Sequence, residues 1–249
     1  MRYCRRSAMI PLENPLAAVA PAAFTRKLLV GSAAVTLLLY LVPFGRYIAR
    51  PLLLLSTLAH EMGHGLTALL LGGRFQRLQI WADGAGVADL DVTGFGRIRE
   101  GLTLAGGLVG PAVAAALCFT LGKTGGGSRA CLLGLGFLLV AAEVLVMRNL
   151  FGFCFAGLLA AGCLFVGARG SGASAQGVVV FLAVQLALSV FSRADYLFTR
   201  TAANPSGVFP SDVLQMQRAL FLPYWFWGLV CGAFSALVLL YGVRTFWGR

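Results

Sequence analysis

The sequence predicts an all-α polytopic membrane protein of six or seven transmembrane helices, with a short β-hairpin after the second apolar segment. Three observations predict it. Of 249 residues, 59% are hydrophobic and only 12% are charged, whereas a soluble domain carries about 25% charged and about 45–50% apolar residues. The apolar residues gather into seven runs, near 28–44, 51–72, 102–122, 130–147, 150–168, 176–192 and 219–243. Each is close to the roughly 17–25 residues that cross a bilayer as a helix. Glycine is abundant, at 32 residues, as expected where membrane helices pack backbone to backbone. It follows no Gly-X-Y period, and the richness in Leu, Val and Phe excludes a disordered chain. A soluble enzyme is excluded as well, because this apolar surplus cannot fit inside one globular core of this length.

Taken in order, residues 1–27 carry Arg2, Arg5, Arg6, Arg26 and Lys27 around an Ala-rich stretch broken by Pro21. The stretch is too short for a signal-peptide core, so it reads as an uncleaved basic tail ahead of one membrane-embedded domain, 28–249. Runs 130–147 and 150–168 are separated only by Arg148 and Asn149, as in a tight helical hairpin or a broken helix. Alternating the runs across a bilayer puts thirteen of the 20 Lys and Arg on the side of the N-terminus and seven on the other. This predicts a cytoplasmic N-terminus. The formal net charge of +11 then faces lipid phosphates. A nucleic-acid partner is excluded, since no polar domain exists to carry a basic patch. The six cysteines form no CxxC pair and read as small core residues.

The connection 73–101 is more than a loop. From Arg74 to Trp81, and again from Val87 to Val92, polar and apolar residues alternate on either side of Asp83-Gly84. That is a hairpin signature. Such a ribbon can merely join two spans, or offer an edge to an extended peptide.

Both histidines of the chain lie in one pentapeptide, His60-Glu61-Met62-Gly63-His64. Four residues apart on a helix, two imidazoles share a face and can reach one Zn²⁺, with the glutamate placed to take a proton from a metal-bound water. Thr57, His60, Glu61 and His64 follow the i, i+3, i+4, i+7 rule. They make a polar stripe on an otherwise apolar helix over 51–72. Ionisable groups inside a span are costly and mark functional sites.

Leu58-Ala-His-Glu-Met-Gly-His-Gly65 resembles the signature of the site-2 protease (M50) family of intramembrane zinc metalloproteases, in its bacterial M50B-like branch. Further similarity lies in Gly72-Gly73-Arg74, Asp83-Gly84-Ala85-Gly86-Val87 and Leu104-Ala-Gly-Gly-Leu-Val-Gly-Pro111. It continues in Arg148-Asn-Leu-Phe-Gly152, Ser211-Asp212, Leu222-Pro223 and Trp225 to Trp227. The resemblance spans roughly residues 50 to 243. It implies a multi-pass protein of a bacterial cell membrane that hydrolyses peptide bonds of membrane-protein substrates within or near the bilayer. Zinc would be the cofactor, and Glu61 the base. It also implies a third ligand, an aspartate in a later span within an Asn-x-x-Pro…Asp-Gly pattern. Here Asn149 is present, but Gly152 stands in place of the proline, and no aspartate follows before Asp195.

After Glu100 the only acids are Glu143, Asp195 and Asp212. Glu143 lies mid-run, one turn from Arg148, where it is a ligand or a paired charge. Asp195 ends a span near Arg193, as a ligand or an interfacial anchor. Asp212 follows Pro210-Ser211 and opens the last helix, as a ligand or a helix-capping residue. The Ser-Asp pair resembles the family's, which favours Asp212, with Asp195 as the alternative. Asn149 could orient substrate or stabilise an oxyanion, or simply bond another helix. The competing functional class is a zinc-binding, non-proteolytic scaffold, chaperone or transporter component. Retention of Glu61 argues against it, since a structural site needs no base.

Overall fold

All seven apolar runs form helices. The protein was analysed as a computed structural model, which describes residues 22–42, 47, 49–192, 194–205 and 207–248. The helices are α1 (Ala22–Leu41), α2 (Arg50–Leu70), α3 (Arg97–Leu121), α4 (Gly125–Leu145), α5 (Leu150–Arg169), α6 (Gly172–Ser192) and, at the C-terminal end, α8 (Tyr224–Trp247). Five of these, α3 to α6 and α8, are both long and apolar enough to cross a membrane. With 21 residues, α2 has the length, and its polar stripe lowers its hydropathy. In α1 the stretch Lys27–Leu38 is predominantly apolar. Outward-facing side chains such as Phe137, Leu158, Phe165 and Leu237 are 64–76% exposed, as lipid-facing residues of a multi-pass protein are.

Two segments differ from the sequence expectation. Helix α1 begins at Ala22, so Arg26 and Lys27 join it instead of the tail. Most of the basic tail, with Arg46, Arg193 and Arg249, lies outside the described residues. The run 219–243 is divided: a nine-residue helix α7 (Asp212–Leu220) stops at Phe221, whose φ of 69° is left-handed, and α8 starts only after Pro223. Asp212 therefore opens a short amphipathic helix of its own, not the last span.

The expected hairpin is present, as β1 (Arg74–Ile80) paired antiparallel with β2 (Gly86–Asp91). Gly84 turns at φ +97°, while the Asp83 carboxylate accepts from Ala85 N at 3.0 Å. The other edge of β1 is closed by the segment joining α4 to α5. Leu78 N donates to Val146 O at 2.8 Å, and Arg148 N to Leu78 O at 3.0 Å. Asn149 completes this edge. Its Nδ2 donates to Ile80 O at 2.6 Å, and its Oδ1 accepts from Ile80 N at 3.2 Å. A second hairpin, β3 (Thr201–Asn204) with β4 (Gly207–Pro210), follows the 3₁₀ turn Ala194–Phe198.

Packing falls into three clusters. The largest joins α3, α4, α5, α6 and α8 through residues such as Ala115, Phe119, Leu132, Val179 and Phe246. A second sets Leu54, Leu58 and Met62 of α2 on Leu78 and Ile80 of β1, with Leu139 and Ala156 behind. A third seats α7 on α3 and α8 through Leu108, Val213, Met216 and Cys231. Cys118 and Cys131 meet at 3.9 Å in the first region, closer together than their scatter in sequence suggests.

Ile80 is fully buried, so an Asn149→Ala substitution strands its backbone N–H and C=O. The expected cost is about 1–3 kcal/mol, read as a lower denaturation midpoint and faster amide exchange confined to β1 and β2.

Candidate metal centre

The centre starts from a helix–helix contact made by glycine. Helices α2 and α3 approach so closely that a Cβ at Gly63 would sit 2.3 Å from the Gly106 carbonyl oxygen, and one at Gly110 2.7 Å from that of Ala59. At Gly107 the added carbon would fall 2.1 Å from His64 Nε2. Only a bare backbone on α3 leaves room for that imidazole. The same helix orients it: His64 Nδ1 donates to Thr103 O at 2.9 Å, which leaves Nε2 as the free donor atom.

From the far end of the chain, α7 brings in a carboxylate. Asp212 Oδ2 lies 3.1 Å from His60 Nε2 and 3.4 Å from His64 Nε2, and the two imidazole nitrogens are 3.2 Å apart. The helix cap belongs to its neighbour. Ser211 Oγ accepts from Leu214 N at 3.3 Å and donates to Thr199 O at 2.6 Å. Asp212 is thereby free to face the histidines. Burial alone would raise its carboxyl pKa, but the adjacent His64 and His60 hold it well below the ordinary carboxylate range. Tyr196 adds a hydroxyl that donates to Oδ2 at 3.3 Å and stands edge-on to His60, with ring centroids 5.8 Å apart.

The set suits a tetrahedral zinc. With Zn–N of about 2.0–2.1 Å and Zn–O of about 2.0–2.2 Å, ligand atoms should sit about 3.3–3.5 Å apart. The observed 3.1, 3.2 and 3.4 Å describe one triangular face of such a tetrahedron. Two neutral-capable imidazoles and an ionised carboxylate are the donor types a catalytic zinc takes. Among the described residues, His60, His64 and Asp212 form a group able to hold a metal.

Glu61 is buried beside them, against the hairpin. A Cβ at Gly86 would lie 2.7 Å from Glu61 Cγ and 2.9 Å from its Oε1, and the carboxylate faces the Ala88 backbone. Thr57 Oγ1, one turn earlier, donates to Gly84 O at 2.8 Å. A cleft of about 680 Å³ opens over the cluster, walled by β2 on one side and by Ala202, Ala203, Asn204 and Phe209 of the second hairpin on the other. Among the described residues β2 pairs only with β1, so its outer edge looks into this cleft.

The remaining candidates fall elsewhere. Asp195 lines an adjoining pocket of about 440 Å³ with Thr57, His60 and Glu61, outside the ligand group. Glu143 sits on α4 against Gly157 of α5, its Oε1 buried without a hydrogen-bond partner. It makes no ion pair with Arg148, whose guanidinium bonds the carbonyls of Met147 and Leu145 instead. Asn149, offered for substrate or an oxyanion, has both ends of its amide engaged by Ile80. The position of the missing proline has a physical reason: a Cβ at Gly152 would lie 2.6 Å from Asn149 Oδ1 and 2.8 Å from Met147 Sδ. Sequence reasoning missed Tyr196 and the second hairpin. Asn204-Pro205 followed by Gly207 is a turn signal, but strands of four residues carry too little alternation to find.

Fold and site together define a multi-pass membrane protein in which the two histidines of an HExxH helix meet a carboxylate brought in by a later helix. The family described as Peptidase M50B-like matches residues 30–242, and the chain belongs to it. No curated protein and no solved structure matches the chain.

Gly107→Ala is expected to push the His64 ring from its place and weaken metal binding at this group about 100-fold or more, beyond the usual loss of an outer-shell partner. Gly134→Ala, with open space around the new carbon, should leave metal content unchanged. Elemental analysis of both purified variants checks the contrast.

Proposed function

We propose that this chain is an intramembrane zinc metalloprotease, hydrolysing peptide bonds of membrane-protein substrates within or near the bilayer. The observation that carries the reading is the convergence of His60, His64 and Asp212 at 3.1–3.4 Å, with Glu61 one residue along the same helix. His60, His64 and Asp212 would hold the ion, with Asp195 left out. A zinc ion supplies Lewis acidity that brings the ionisation of a water near neutral pH. Glu61 takes the proton from the attacking water and returns it to the leaving amine. It is buried beside β2 and lines the cleft over the cluster, where a substrate would enter.

A peptide bond inside a transmembrane helix is shielded by its own hydrogen bonds, so the substrate must be drawn out before it can react. The outer edge of β2 lies beside Glu61 and supports a role in pairing with the extended segment. Asn149 and Val146 occupy the other edge of the sheet, which leaves this one to the cleft. We place the N-terminus in the cytoplasm on the distribution of basic residues, and the family branch favours a bacterial cell membrane.

The detergent-purified chain is expected to hold about one zinc, lost in His64→Ala and Asp212→Ala and kept in Asp195→Asn. Glu61→Gln should keep the metal and lose about 10²–10⁴-fold in cleavage of transmembrane-segment reporter peptides. Wild-type protein without metal after zinc reconstitution would overturn the reading, as would undiminished cleavage by Glu61→Gln.

A further inference from the structure

The two histidines are supported unequally. His64 has its Nδ1 on the Thr103 carbonyl at 2.9 Å. His60 uses Nε2 toward Asp212 and His64, and its Nδ1 has no hydrogen-bond partner among the described residues. A metal-bound histidine almost always donates its second ring N–H to a carboxylate, a carbonyl or a water.

Beside His60 lies a cavity of about 50 Å³ lined by Ser56, Ser189, Ser235, Tyr196 and the His60 ring, among apolar neighbours. Ser56 stands one turn before His60 on α2, Ser189 comes from α6 and Ser235 from α8. Three helices thus each send one hydroxyl to the same place. A serine or threonine in a helix commonly bonds back to a carbonyl of the preceding turn. Thr36, Thr103, Thr120 and Thr245 all do so here. Ser56 and Ser235 do not. They are only 3% and 2% exposed, yet neither hydroxyl has a protein partner among the described residues. Ser189 Oγ donates to Leu186 O at 2.7 Å and keeps its acceptor lone pairs. A polar cavity with several such groups holds water once it exceeds about 10–15 Å³, and this one has the room.

We infer that the cavity is an ordered-water site and that its water is the outer-shell partner of His60, accepting from Nδ1–H. Ser56, Ser189 and Ser235 are then positioning residues of the metal centre, acting through that water to fix the ring's tautomer and direction. The inference rests on the zinc reading above. It also accounts for two unpaired hydroxyls in an otherwise apolar part of the bundle.

The test is zinc affinity of the full-length, detergent-purified chain by chelator competition, together with the visible spectrum of the cobalt-substituted protein. Ser56→Ala removes a hydroxyl without adding atoms, and Ser235→Val fills the cavity. Both should weaken zinc binding about 10–100-fold and alter the cobalt ligand-field bands, while Ser128→Ala, at the start of α4, should leave both readouts at wild-type values. Wild-type affinity and an unchanged cobalt spectrum in Ser56→Ala and Ser235→Val would overturn the inference and make the cavity a dry packing void. Should Ser235→Val fail to fold, Ser56→Ala alone decides. A wild-type chain that takes up no metal is a distinct result: it overturns the zinc reading first, and this inference with it.

Discussion

Helix α2 carries two histidines and a glutamate through an apolar bundle because α3 meets it with backbone instead of side chains. A lipid-facing bundle has little hydrophobic drive for helix association, so close packing and interhelical polar contacts must supply the cohesion. Gly63, Gly106, Gly107 and Gly110 allow that closeness, and the closeness puts the Thr103 carbonyl on His64. The glycine-rich stretch 104–111 is therefore part of the site itself. It sets how deep the imidazole sits, which nitrogen it presents and what α7 must approach from the other side.

The chain's linear pattern revealed what is local and concealed what is distant. Seven apolar runs, the polar stripe on α2 and the turn at Asp83-Gly84 each depend on neighbours within a few residues, and all three are legible. The carboxylate is different. Asp212 follows His64 by well over a hundred residues, and no periodicity says which of three acids folds back onto the stripe. The Ser-Asp pair favours Asp212 as the ligand, yet Pro210-Ser211-Asp212 reads equally well as a helix cap. The cap falls to Ser211 instead, because the Ser211 hydroxyl also bridges to Thr199 and so fixes where α7 begins. Tyr196 was concealed for a related reason: a tyrosine at the end of a span looks like an interfacial anchor, until the 3₁₀ turn rolls it onto Asp212.

Asn149 shows how a family-like residue can serve the site without facing it. Its amide imitates a strand backbone, offering one donor and one acceptor to Ile80, as the next strand of a sheet would. With Val146 and Arg148 it makes an edge out of an interhelical connection. Gly152 is what lets the amide fold back that far, which gives the departure from the proline pattern a steric cause.

Closing one edge of the hairpin has a consequence for the other. An open strand edge is a liability, and proteins usually bury, charge or pair it. Here the protected edge faces the α4–α5 connection, while the unprotected edge of β2 is enclosed in the cleft beside Glu61. Gly86, where β2 begins, is stripped of a side chain so that this edge can lie against the carboxylate. A second hairpin then stands across the cleft, so a chain entering in extended form would meet the β2 edge on one side and Ala202, Ala203, Asn204 and Phe209 on the other. The β2 edge would recognise main chain before side chain. That ordering suits the proposed activity, because a transmembrane segment drawn from its helix presents unpaired peptide groups first, and the lipid around it offers them nothing.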